Sequence, residues 1–209
     1  MQQIKKASSI IEAMVIMLIV SLGTVGVYKV YTNSMKLSQS VELKIQAISI
    51  AKEALEAVTN IRDTNWLLYS NNTSNCWNTL NYDSLCLTGA GAKIGHSGSY
   101  ILTADLENRW LLTPPSSSFA LAEYSDPDYR NFFQIKRDIK GFYTHSGATQ
   151  KSDVFTREIK TKYIDTNGDS NTDESDEKLE ISVHVYWRDV ANNRARSLVL
   201  KTILSNWKK

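Results

Sequence analysis

Residues 13–28 read AMVIMLIVSLGTVGVY and carry no charge. With Ile10 and Ile11 the run approaches the roughly 20 apolar residues that cross a hydrocarbon core. Lys5 and Lys6 precede it and no acid does, so the positive-inside rule keeps the N-terminus cytoplasmic and exports the rest. A secretory signal peptide would place its small residues after the apolar core. Here Ala7, Ser8 and Ser9 stand before it, and the apolar pattern continues instead of stopping. A plain anchor accounts for the lysines and the length, but not for Glu12. A carboxylate inside a spanning helix costs about 2.5–3.5 kcal/mol on insertion scales, less near the interface, so such a group calls for a partner.

A basic leader, a small residue, and a glutamate five residues on at the head of an apolar helix form a pattern. It resembles the N-terminus of type IV pilins and type II secretion pseudopilins. The match covers about residues 5–30; Ala7 stands where the family most often has glycine, and Ser8 where it has phenylalanine. The resemblance implies cleavage after Ala7 by a prepilin peptidase on the cytoplasmic side and methylation of the new Ser8 amine. It further implies a single-pass stay in the bacterial inner membrane, then passage through an assembly platform into a homo- or hetero-polymer with other pilins. The destination is a cell-surface pilus or a periplasmic pseudopilus. In the filament the Glu12 carboxylate would meet the free amine of a neighbouring Ser8. Such a pair is favourable in a dry core when both partners are present and costly when one is missing.

Beyond the apolar run, Leu37, Val41, Ile45, Ile48, Ala51, Leu55, Val58 and Ile61 recur at steps of three and four, the spacing of one helical face. Lys44, Lys52, Glu53 and Glu56 fall off that stripe, and no proline interrupts residues 8–61. The expected helix runs from Ser8 to Arg62, apolar all round in its first half and amphipathic in its second. Asp63, Thr64 and Asn65 are turn formers and should end it, with Trp66, Leu67 and Leu68 packing back on the domain. The chain thus divides into a leader (1–7), a membrane or filament-core helix (8–30), an amphipathic helix (31–62), a polar loop (63–98) and a β head (99–209).

The head reads as strands. "SYILTADL" and "NRWLL" form a pair joined near Glu107 and Asn108, and residues 114–128 form a loop. "NFFQIKRDIKGFY", "DVFTREIKTKYI", "EKLEISVHVYW" and "ARSLVLKTILSNW" follow. Alternation at Phe155 and Ile159, at Leu179 to Trp187, and at Leu198 and Leu200 predicts strands with one face on the helix. The fold class is α+β: a long N-terminal helix packed on an antiparallel sheet of four to six strands.

Cys76 and Cys86 are the two cysteines. In an exported domain they read as a small disulfide loop, with two unlinked thiols as the alternative. "DTNGDSNTDESD" places side-chain oxygens at Asp165, Asn167, Asp169, Asn171 and Asp173, then at Asp176. That spacing matches a loop wrapping one structural calcium ion, although Ser170 stands where calcium hands have glycine. A solvated acidic turn is the alternative.

Catalytic signatures are missing: His96, His145 and His184 are scattered, and no nucleophile elbow or zinc-protease motif occurs. The expectation is no enzyme. Net charge is +2, from 24 Lys and Arg against 22 Asp and Glu, and Lys5 and Lys6 supply the whole excess. This argues against nucleic-acid binding by bulk charge. Trp77, Tyr82, Trp110, Tyr124, Tyr129, Phe132 and Phe133 could mark an adhesive surface, against core packing. Arg188, Arg194, Arg196, Lys201, Lys208 and Lys209 could touch DNA, against simple solvation. A pilus-associated binding module, for adhesion or DNA capture, is therefore the alternative to a structural subunit, with a membrane-tethered enzyme behind both.

Overall fold

A computed structural model of the chain describes residues 3–105, 107–115, 124–137, 143–145, 151–168, 172–189 and 193–206, the backbone alone for 3–9, 137 and 151–153. The first helix, α1 (Gln3–Leu68), is 66 residues long, about 100 Å at 1.5 Å per residue. Two short helices follow, α2 (Thr73–Cys76) and α3 (Pro127–Phe133). The strands are β1 (Ser99–Ala104), β2 (Trp110–Thr113), β3 (Gln134–Arg137), β4 (Tyr143–Thr144), β5 (Lys151–Ile164), β6 (Lys178–Arg188) and β7 (Ala195–Ser205). They form one antiparallel seven-stranded sheet, against the four to six strands expected, because the single strand read over 131–143 is represented by two, β3 and β4. The architecture is α+β, a long N-terminal helix on an antiparallel sheet.

β5 is the central strand because it is long enough to be shared. One edge pairs with β6 from Thr156↔Tyr186 to Ile164↔Lys178. The other edge takes β3 near its start (Arg137↔Lys151) and β1 further along (Tyr100↔Ile159). β2 extends β1, β4 extends β3, and β7 closes the far side on β6. The β1–β2 turn is fixed by Asp105, whose Oδ1 accepts from the backbone N–H of Glu107 and of Arg109, each at 2.9 Å.

α1 lies on one sheet face and buries Ala47, Ile50, Ala51, Ala54, Ala57, Val58 and Ile61 against Phe155, Ile159, Leu179, Ile181, Val183, Val185 and Trp187. Four of those seven helix residues are alanines, so the helix can sit close to the pleated surface. The face is not the whole predicted stripe. Leu37, Val41 and Ile45 are exposed, since the head covers the helix fully only from Ala47 on. Glu53, read as lying off the stripe, turns inward: Arg157 of β5 is wholly buried and its Nη1 lies 3.3 Å from Glu53 Oε1.

Three further expectations are corrected. The helix does not stop at Arg62. Asn65 is buried and its Nδ2 donates to Thr79 O (3.3 Å) and Asn81 O (2.8 Å), and Trp66 is buried with the Arg62 guanidinium 4.6 Å from its ring centre. These contacts hold the last turns helical against the local preference of Asp63, Thr64 and Asn65. Trp66 packs on the domain as expected, whereas Leu67 is 77% exposed and Leu68 also faces outward. The segment from Asn131 to Phe133 is helical, not extended: Asp126 caps α3 by accepting from Asp128 N at 2.8 Å, and Pro127 starts the helix.

Candidate functional site

From Ile10 to Tyr31 every residue of α1 is exposed. The helix meets the three conditions for crossing a bilayer, namely length, apolar composition and few charges. Between Ile10 and Tyr28 the only charged group is Glu12. Ala7 and Ser8 are helical in the same element. Further along the helix, Ser40 Oγ donates to Asp189 Oδ2 of the head at 3.3 Å. The bare apolar part, from Ile10 to Tyr31, is about 32 Å long.

The segment 63–98, expected as a polar loop, is organised by asparagines, Asn78 buried and Asn81 half-buried. Asn81 Oδ1 accepts from Leu112 N (2.7 Å), and its Nδ2 donates to Leu112 O (3.2 Å), so one side chain imitates a strand neighbour for β2. Asn78 Nδ2 donates to Tyr163 OH (3.0 Å) and to Glu174 O (3.1 Å). Cys76 and Cys86 form the expected disulfide and are both buried. A closed loop of this size is stabilised by roughly 2–3 kcal/mol on the chain-entropy estimate. Gly91 is required beside it, because a Cβ there would lie 2.5 Å from Cys86 N.

In the acidic hairpin between β5 and β6, Asp169 and Asn171 lie outside the described residues. Asp165 Oδ1 accepts from Gly168 N at 2.8 Å, and Gly168 has the positive φ (+78°) that this turn needs. Asn167 Nδ2 donates to Ser175 Oγ (3.4 Å), and Asp173 Oδ1 accepts from Ser175 N (2.8 Å). Asp176 is 1% exposed. Its Oδ1 accepts from Thr166 N (2.7 Å) and its Oδ2 from Asp173 N (3.1 Å). Those bonds, led by the Thr166 N–H, hold its carboxyl below the usual range. Asp176 thus already closes the hairpin through backbone donors. Among the described residues no group of three or more His, Cys, Asp or Glu side chains gathers as a metal would require.

The remaining candidates separate by burial. Trp77, Tyr129 and Phe133 are buried, and Tyr82 and Trp110 pack at the edge of the core. Arg188, Arg194, Arg196 and Lys201 are exposed, while Lys208 and Lys209 lie outside the described residues. Sequence reasoning missed Arg157, although an arginine at the same parity as Phe155 and Ile159 was the signal for it. Next to it, His145 Nδ1 donates to Leu102 O at 2.8 Å, leaving Nε2 as a neutral, solvent-sealed nitrogen. Burial, then the Arg157 charge, push His145 down to about 3.

Comparison with protein-family models, with curated proteins and with solved structures finds no match.

Proposed function

We propose that the chain is a pilin-like structural subunit. It is cut by a prepilin peptidase after Ala7, waits in the cytoplasmic membrane as a single-pass protein with its N-terminus inside, and assembles into a helical filament through α1. The observation that carries the proposal is the bare helix with its one carboxylate. A stretch about 32 Å long, from Ile10 to Tyr31, exposes apolar side chains on every side, which water does not tolerate. Lipid covers such a surface but leaves Glu12 unpaired; a bundle of identical helices covers it and can offer Glu12 an amine. The head, closed by its own core and a disulfide, suits the outside of such a bundle. The proposal extends to one structural calcium ion in the 165–176 hairpin, drawing on Asp165, Asn167, Asp169, Asn171 and Asp173, with Asp176 serving mainly as the backbone clamp.

The test is Glu12→Ala in cells that express the assembly machinery. The variant should insert into the membrane at the normal level and be absent or strongly depleted from sheared filaments. Incorporation equal to the parent chain sinks the role given to Glu12.

A further inference from the structure

The sheet face turned away from α1 carries a groove of about 560 Å³, within the roughly 300–1,000 Å³ of small-ligand sites. Its wall is aromatic. Tyr124 and Tyr186 stack with ring centres 5.4 Å apart, and Tyr129 of α3 meets Tyr186 edge-on at 6.2 Å. Its floor is Glu158 of β5, 4% exposed. That carboxylate accepts from Ser99 Oγ (2.6 Å) and from the Tyr129 hydroxyl, and Lys160 Nζ stands 3.4 Å away. Tyr129 and Lys160 both meet Oε2, whereas Oε1 has only the Ser99 hydroxyl and so keeps one lone pair for a further donor.

Two guanidiniums border the same groove. Arg130 Nη1 donates to Tyr124 O at 3.2 Å, and its Cζ lies 5.8 Å from the Tyr124 ring centre. Arg188 Nη1 donates to Asn193 O (3.4 Å) and Asn193 Oδ1 (3.3 Å). These acceptors are neutral, and among the described residues neither arginine has a carboxylate partner. Arg196 also lines the groove, but its register with Trp187 turns its side chain toward the other face, where it pairs with Asp189 at 3.3 Å. The groove therefore has a net positive rim, an aromatic wall and an acceptor floor.

We propose that this groove binds an acidic saccharide, a pyranose ring bearing several hydroxyls and a carboxylate. The arginines would take the carboxylate, as their planar donors suit it. The tyrosines would pack on the C–H face of the ring, and Glu158 would accept a ring hydroxyl. A carboxylate floor suits a hydroxyl donor and repels a second anion placed deep in the site. Single-stranded nucleic acid fits less well, because it needs successive open aromatic faces along a basic track. Here the two partly open tyrosines stack on each other, and further along the same face Lys201 is already paired with Glu180 at 2.9 Å.

The experiment is calorimetric titration of the full chain in a detergent without a sugar headgroup. The probes are a galacturonate trimer, the neutral galactose trimer and a thymidine oligonucleotide. The galacturonate trimer should bind, more weakly as salt is raised, and the neutral trimer should bind at least about tenfold more weakly. Arg188→Ala and Tyr124→Ala should each weaken galacturonate binding about tenfold or more with an unchanged melting temperature, whereas Lys201→Ala should leave it unchanged. The proposal is overturned by no galacturonate binding at millimolar concentration or by equal binding of the neutral trimer. It is equally overturned by binding of the thymidine strand alone, or by full affinity in both folded groove variants.

Discussion

Removing Glu53 should destabilise the head far more than removing the arginine it faces. Arg157 is completely buried, whereas the Glu53 side chain is 29% exposed, and their charged atoms are 3.3 Å apart. At an effective dielectric of about 20 the gross attraction is about 5 kcal/mol. Burial pushes the guanidinium's pKa down and the Glu53 charge pulls it back up. Glu53→Ala leaves the arginine charged with no counter-charge, a change that costs about 3–5 kcal/mol for a buried pair. Since water reaches Glu53, the lower end applies, about 3 kcal/mol, or a fall in Tm of about 6–12 °C at this chain length. Arg157→Met fills the same space with apolar atoms and lets Glu53 return to water, so it should cost about 1 kcal/mol or less. The assay is urea unfolding of the full chain in detergent, followed by tryptophan fluorescence, since Trp66, Trp77 and Trp187 are buried in the head. A loss below about 1 kcal/mol in Glu53→Ala, or a larger loss in Arg157→Met, would refute the reasoning.

Two further outcomes follow from the same head. His145 titrates at about 3 in the folded chain and near 6.5 when unfolded. Between those values the unfolded chain holds a proton that the folded chain refuses. Stability from this group is therefore complete above about pH 6.5 and falls toward pH 3, at up to about 1.4 kcal/mol per pH unit. The urea midpoint should drop between pH 6.5 and 5.5 and His145→Gln should flatten that drop; a flat curve in the parent chain contradicts it. Calcium should raise the melting temperature and a chelator lower it; no shift with either ends the calcium proposal for the 165–176 hairpin.

Periodicity made the large elements readable because their signals are local. The alternation from Leu179 to Trp187 and the three-and-four spacing along α1 each report a face. What sequence missed depended on partners far along the chain. Asp63, Thr64 and Asn65 look like a helix end, but Asn65 is held helical by carbonyls 14 and 16 residues away. The Asn-rich stretch looked like a plain polar loop because an asparagine such as Asn81 that replaces a strand neighbour has the composition of a turn. The α3 start was legible in Asp126 and Pro127 and was outweighed by the aromatic run after it. The groove was not legible, because Tyr124, Tyr129 and Tyr186 come from three elements, and only the pairing of Thr156 with Tyr186 puts Glu158 beneath them.

The central claim is that the apolar helix is a filament element released by cleavage, and the mass of the mature N-terminal peptide tests it most directly. The account predicts Ser8 as the first residue, with or without one added methyl group, in chains recovered from filaments. An intact Met1, or a cut beyond the apolar run after residue 26, would contradict it.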